Sequence, residues 1–239
     1  MESIIYYDLH THQPSLRPKD IAIISIDLLN RERLPELFSN ERYLSDKRAS
    51  GCIEENNHAH LYSVGIHPWH ADKSLITKVR NYATSPYVVA IGETGLDKII
   101  SDNPDDFKLQ QELFTEHIQL SEEIGKPLVI HCVKAWDELL YIRKATKPSM
   151  PWIIHGFRGK AALATQLLNA GLYLSFGTFH NADALKAAWE KRRLLAETDD
   201  TNADIRTVYA QIAENLNITP EKLSDEIGVF FKANFFTAD

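Results

Sequence analysis

Short apolar runs recur along the chain, and stretches with a helical period separate the later ones. "IIYYDLH", "IAIISID", "LYSVGIH", "YVVAIGE", "PLVIHCV", "PWIIHGF", "LYLSFGT" and "RLLAETD" are rich in β-branched and aromatic residues, which predicts eight strands. Between the later runs, "FKLQQELFTEHIQLSEEIG", "AWDELLYIRKA", "KAALATQLLNAG" and "ADALKAAWEKR" predict amphipathic helices, with Gly125 (ahead of Pro127) and Gly171 as stops. Two more helical segments close the chain, "DIRTVYAQIAENLN" and, after Thr219-Pro220, "EKLSDEIGVFFKANFF". Strands alternating with helices imply parallel βαβ units. Eight such strands, nearly continuous in apolar character, predict a closed (β/α)8 TIM barrel, with a doubly wound open sheet as the alternative. Residues 27–60 show no clean period.

A length of 239 residues fits one undivided domain, residues 1–239, and there is no internal repeat, low-complexity tract or linker. The composition, 44% hydrophobic and 25% charged, is that of a globular chain with a full core. No apolar run reaches the roughly 20 residues of a membrane helix. The start, "MESIIYYDLHTH", lacks a basic n-region and a cleavage site, and Cys52 and Cys132 stand in unrelated contexts, so the expected setting is the reduced cytoplasm. A formal net charge of −7 argues against a broad footprint for duplex nucleic acid. It leaves a phosphate substrate open, because bound divalent ions reverse the local sign.

Strand polarity sorts the ten histidines. Chemistry in such barrels sits at the C-terminal strand ends. His10 and His12 follow the first strand, His67 and His70 the third, and His131, His155 and His180 the fifth, sixth and seventh. His117 lies within a helix, and His58 and His60 precede their strand, where solvated loop histidines are expected. Glu93 closes the fourth strand and Asp199 the eighth. Any one of these residues alone reads as a cap or a turn residue; their convergence on one rim reads as chemistry. Four imidazoles and two carboxylates form a mixed nitrogen and oxygen set suited to zinc, manganese or iron. Six ligands exceed a single zinc site, and a bridging carboxylate would let them hold two ions about 3.5–4 Å apart.

The motifs "DLHTH", "GIHPWHA", "AIGETGLD", "LVIHC", "IIHGFRG" and "LAETD" resemble, in order and in placement on strands, those of the TatD-like metal-dependent hydrolases, within the amidohydrolase-type barrels. The resemblance runs from about residue 6 to "ANFF". It implies a distorted TIM barrel, divalent ions (magnesium among those used by the family) and hydrolysis of an ester bond, with deoxyribonucleases among its members. It places metal ligands at His10, His12, Glu93, His131, His155 and Asp199, with Glu93 bridging. The rim departs from the family pattern. Val133 stands where an arginine is usual, Arg158 where a small hydroxyl residue is usual and His180 where a lysine is usual, and the loop after Asp199 is short.

The expected function is therefore hydrolysis of a phosphodiester by a hydroxide activated by two ions, with Asp199 as proton acceptor. His67 and Arg158 are candidate substrate contacts, Arg158 replacing from the next strand the arginine missing at 133. Trp69 is expected to pack, and Lys134 and Asp137 to form a solvated face. The expected partners are a phosphodiester or other small ester, including single-stranded DNA ends, with no membrane and no protein partner implied. Two alternatives stay open: a hydrolase of a cyclic amide or lactone, and a metal-binding protein with little turnover.

Overall fold

In the computed structural model of the chain, which describes residues 4–13, 20–28, 61–101 and 103–236, the β-rich runs become eight strands. They are β1 (Tyr7–Thr11), β2 (Ile21–Asp27), β3 (Leu61–Gly65), β4 (Val88–Asp97), β5 (Leu128–Val133), β6 (Trp152–Ile154), β7 (Tyr173–Phe176) and β8 (Leu194–Ala196). The helical stretches become α2 (Pro104–Ile124), α3 (Trp136–Thr146), α4 (Ala161–Asn169), α5 (Ala182–Glu190), α6 (Ile205–Leu216) and α7 (Pro220–Asn234). One helix, α1 (Ile76–Ala83), was not predicted; its buried residues Val79 and Ala83 repeat every four residues after the buried Leu75. Cys52, His58 and His60 lie outside the described residues.

Local chemistry sets the helix ends. At the start of α2, Asn103 accepts from the N–H groups of Asp105 and Asp106, Pro104 opens the first turn, and both aspartates sit at the positive end of the helix dipole. Gly125 ends that helix in the left-handed region (φ 67°), as its place in the sequence predicted.

The described chain gathers into two compact units. Of the described residues, the first holds 4–13, 20–24, 61 and 153–236. Its strands run parallel: Ile153 faces Tyr173 between β6 and β7, Leu174 faces Leu194 between β7 and β8, and Tyr7 faces Ile21 between β1 and β2. A bridge between Thr11 and Asp199 joins the first strand to the last. An open doubly wound sheet has no such pairing, so the fold class is the (β/α)8 barrel. Leu9, Ile23, Ile154, Leu174 and Leu195 are buried in this unit. Arg192, in the basic stretch before β8, is paired in two places with Glu226.

The second unit holds residues 25–28 and 62–152 and pairs β3 with β4 and β4 with β5. Phe114 and Trp152 pack edge to face within it. β4 runs four residues past the predicted end, because Gly92 and Gly95 do not turn the chain. A Cβ at Gly95 would stand 1.9 Å from the carbonyl oxygen of His131, and the residue sits at φ 146°, so only glycine lets β4 lie this close to β5.

His117, fully buried on α2, is structural. Its Nδ1 lies 2.7 Å from the Leu113 carbonyl oxygen, and its Nε2 accepts from the Ile66 N–H at 3.1 Å. A neutral ring satisfies both; a protonated ring would set one N–H against another. Burial pushes its pKa down to about 4. Below about pH 6.5 the unfolded chain takes up a proton that the folded chain refuses, so this stabilisation is complete above pH 6.5 and is lost as the pH falls toward 4. The change is roughly 3 kcal/mol. In urea titrations, the stability difference between the wild type and His117→Gln should shrink by about that amount from pH 7 to pH 4. A constant difference would refute the neutral, buried state.

Candidate metal centre

In the first unit the site grows from the pairing of β1 with the chain after β8. The Asp199 N–H donates to the His10 carbonyl oxygen at 2.9 Å, and the His12 N–H donates to the Asp199 carbonyl oxygen at 3.2 Å. Asp199 itself adopts φ 56°, a left-handed conformation that aspartate tolerates better than most side chains. Its Oδ1 then lies 3.7 Å from Nε2 of His10 and 3.7 Å from Nε2 of His12. That spacing is too long for a hydrogen bond, yet it suits donors sharing one ion at about 2.0–2.2 Å each.

His155, at the end of β6, stacks against the His10 ring with centroids 4.4 Å apart. Its Nδ1 stands 3.6 Å from Oε1 of Glu197, and His155, Glu197 and Asp199 offer donor atoms within 4.8 Å of one another. Glu197 was not predicted. It is fully buried, and one of its oxygens accepts from the Gly156 N–H. Burial pushes its carboxyl up, but the neighbouring His155 and His10 outweigh this and hold it below the usual carboxylate range. Its signal was present, since Glu197 and Asp199 stand two apart, as His10 and His12 do.

Asp8 underlies this group. It accepts from the Thr198 N–H at 3.0 Å and from the Thr198 hydroxyl at 2.6 Å, tying β1 to the residue between Glu197 and Asp199. Burial pushes its carboxyl up to about 7, against the pull of those two bonds.

In the second unit, Glu93 stands between two imidazoles. Its Oε1 is 2.9 Å from Nε2 of His67 and 3.1 Å from Nδ1 of His131. The other nitrogen of His131, Nε2, is 3.2 Å from Oδ2 of Asp97, which also accepts from the Trp69 indole at 2.8 Å. A neutral imidazole has one proton for these two carboxylates. With Nε2–H given to Asp97, a lone pair on Nδ1 faces Glu93, and a cation between them removes the repulsion. Burial pushes Asp97 up, but its bonds to Trp69, Ile99 and His131 leave it below the ordinary range, so it stays an acceptor. Asp97 too was missed, because "GLD" reads as a turn. Cys132, next to His131, is buried, and burial pushes its thiol up to about 12.

The structure thus brings His10, His12 and Asp199 together, sets His155 beside Asp199, and groups Glu93 with His131 and His67. His67, expected at the substrate, is bonded to Glu93. Arg158 is exposed beside a cleft that Asp199 also lines. His180 is held by the Gly177 carbonyl oxygen and by Asn215. Lys134 and Asp137 are exposed, as expected, and Trp69 is more exposed than packing predicts. The donors are imidazoles and carboxylates at ligand spacing, so both groups fit a divalent cation.

Known proteins resemble this chain in sequence and in fold. The family model described as "TatD related DNase" matches residues 8–235. A protein of Escherichia coli K12 named metal-dependent hydrolase YcfH is 36% identical over 147 residues, 58% of this chain and 55% of that protein. The chain thus spans about half the length of the first curated relatives it matches. A protein of Erwinia billingiae named 3'-5' ssDNA/RNA exonuclease TatD is 32% identical over 114 residues, 46% of this chain and 43% of that one. The crystal structure of a TatD homologue from E. coli K12 superposes with a TM-score of 0.72 at 18% identity, covering 97% of each chain, a likeness of fold. With nearly its whole length matched by the family model, the chain belongs to the family of TatD-related DNases.

Proposed function

We propose that the chain acts as one domain, a divalent-cation-dependent hydrolase of phosphodiesters, with single-stranded nucleic acid ends as its substrate class. The observation that carries this reading is the pair of ligand groups, His10–His12–Asp199 and His67–Glu93–His131, each built of imidazoles around a carboxylate at ion-sharing distance. In this reading His10, His12, Glu93, His131, His155 and Asp199 would hold two divalent cations. Bound cations supply Lewis-acid stabilisation of charge on the phosphoryl oxygens and make water easier to ionise.

The chain's own residues do the rest. Asp199, partly exposed on its left-handed turn, takes the proton from the attacking water and returns it to the leaving oxygen. Arg158 meets the non-bridging phosphate oxygens with a two-pronged guanidinium, the role that Val133 does not fill. His67 holds Glu93, Glu197 orients His155, and Asp97 fixes His131 with Nδ1 toward Glu93. The relative named as a single-strand exonuclease supports the substrate class. So does the acidic balance of −7, which disfavours a wrapped duplex.

Four measurements test the reading. A panel of a nitrophenyl phosphodiester, single-stranded DNA, a lactone and a dihydropyrimidine, each assayed with magnesium, manganese and zinc, should yield turnover on the first two only. Asp199→Asn should lower kcat by about 10²–10⁴-fold; full turnover with full metal occupancy would rule out the proton-acceptor role. Arg158→Ala should raise KM for the phosphodiester at unchanged metal stoichiometry, and an unchanged KM would remove the phosphate role. Asp97→Asn should weaken manganese binding in calorimetry by about 10- to 100-fold, whereas unaltered affinity would show that Asp97 does not orient His131.

A further inference from the structure

Beside Asp199 the first unit opens a shallow cleft lined by Arg158, Thr178, Phe179, Glu197, Asp199 and Thr201 among others. The metal ligands account for its acidic wall. They do not account for Phe179, which follows β7 with 69% of its surface exposed. An aromatic ring left in water loses the benefit of burying its area, so its placement next to the reacting groups asks for an occupant. The Arg158 guanidinium stands over that ring at 5.9 Å, at the outer limit of a cation–π contact, so it neighbours the ring without covering it.

We infer that Phe179 is a stacking platform for an unpaired nucleobase adjoining the scissile phosphate, with Arg158 at the junction of base and backbone. The inference rests on the phosphodiesterase reading and extends it from the bond cleaved to the group recognised. Charge leads to the same place: a chain of net charge −7 gains little from general attraction to a polyanion, so strand affinity has to come from local contacts. Stacking is one such contact, and every base offers a π-face to it.

The test uses two fluorescently labelled octamers with hydrolysis-resistant phosphorothioate backbones, one of thymidine and one abasic at every position. Their affinities are measured by anisotropy with manganese present. The wild type should bind the thymidine strand about 5- to 150-fold more tightly than the abasic strand, the range for one stacked base. Phe179→Ala should bring that ratio to near one, and Phe179→Trp should retain it. Because the ring is exposed, the thermal midpoint should change little, which separates loss of the platform from loss of fold. A wild-type ratio of one, or a ratio that survives Phe179→Ala, overturns the inference. Turnover of an ordinary octathymidylate by the wild type is assayed in parallel. Its absence overturns the phosphodiesterase reading, while the binding ratio still decides the fate of the platform.

Discussion

Two backbone hydrogen bonds between β1 and the residues after β8 carry the ligand group of the first unit. They bring the first strand and the last into register, and that register sets the Asp199 carboxylate equidistant from the rings of His10 and His12. Asp8 reinforces the same junction from below through Thr198. Residues separated by about 190 positions of chain therefore meet through main-chain geometry first, and the chemistry of their side chains follows from it. A site arranged in this way resists side-chain substitution in its surroundings but is sensitive to any shift in strand register, since a slip of one residue would turn the carboxylate to the opposite face.

Concentrating ionisable groups at strand ends is costly unless each is compensated. Asp97 takes two side-chain donors and Glu93 two imidazoles, while Glu197 takes the Gly156 N–H and lies beside His155. With Nε2–H of His131 given to Asp97, the Nδ1 lone pair of His131 faces Glu93 across 3.1 Å. A divalent cation satisfies it without asking the imidazoles to charge, which is why the donor set itself argues for metal rather than for a buried salt-bridge network.

Much of this was legible along the chain. The i, i+2 spacing of His10 and His12 at a strand end reports a shared direction, and the position of a histidine relative to its strand separates rim from base. β2 occupies the predicted run from Ile21 to Asp27 because nothing in it mimics a breaker. In β4, the reading fell short because of glycine. The "GETG" stretch resembles a turn, but its glycines serve close approach to β5, and the strand continues through them to Asp97. With the strand cut short at Glu93, Asp97 had no reason to be placed with His131. Glu197 was hidden differently: Asp199 drew the metal argument, although the same two-residue rule pointed to its neighbour. α1 is short, and three buried residues repeating every four positions are a faint signal beside the long pattern of α2.

The altered rim and the retained ligands answer to different constraints. Metal donors need fixed distances to one another, and backbone register enforces those distances. Groups that meet a substrate need only face the same opening, so they can move between strands. Val133 leaves β5 without a cationic side chain at that position, and Arg158, on the loop after β6, faces the cleft that Asp199 lines. Phe179, after β7, faces it too. A guanidinium and an aromatic ring entering from adjacent loops can grip a phosphate and a base separately, an arrangement that a single arginine on β5 could not provide. On the proposed reading, Arg158 and Phe179 would together put phosphate and base recognition at the cleft that Asp199 lines.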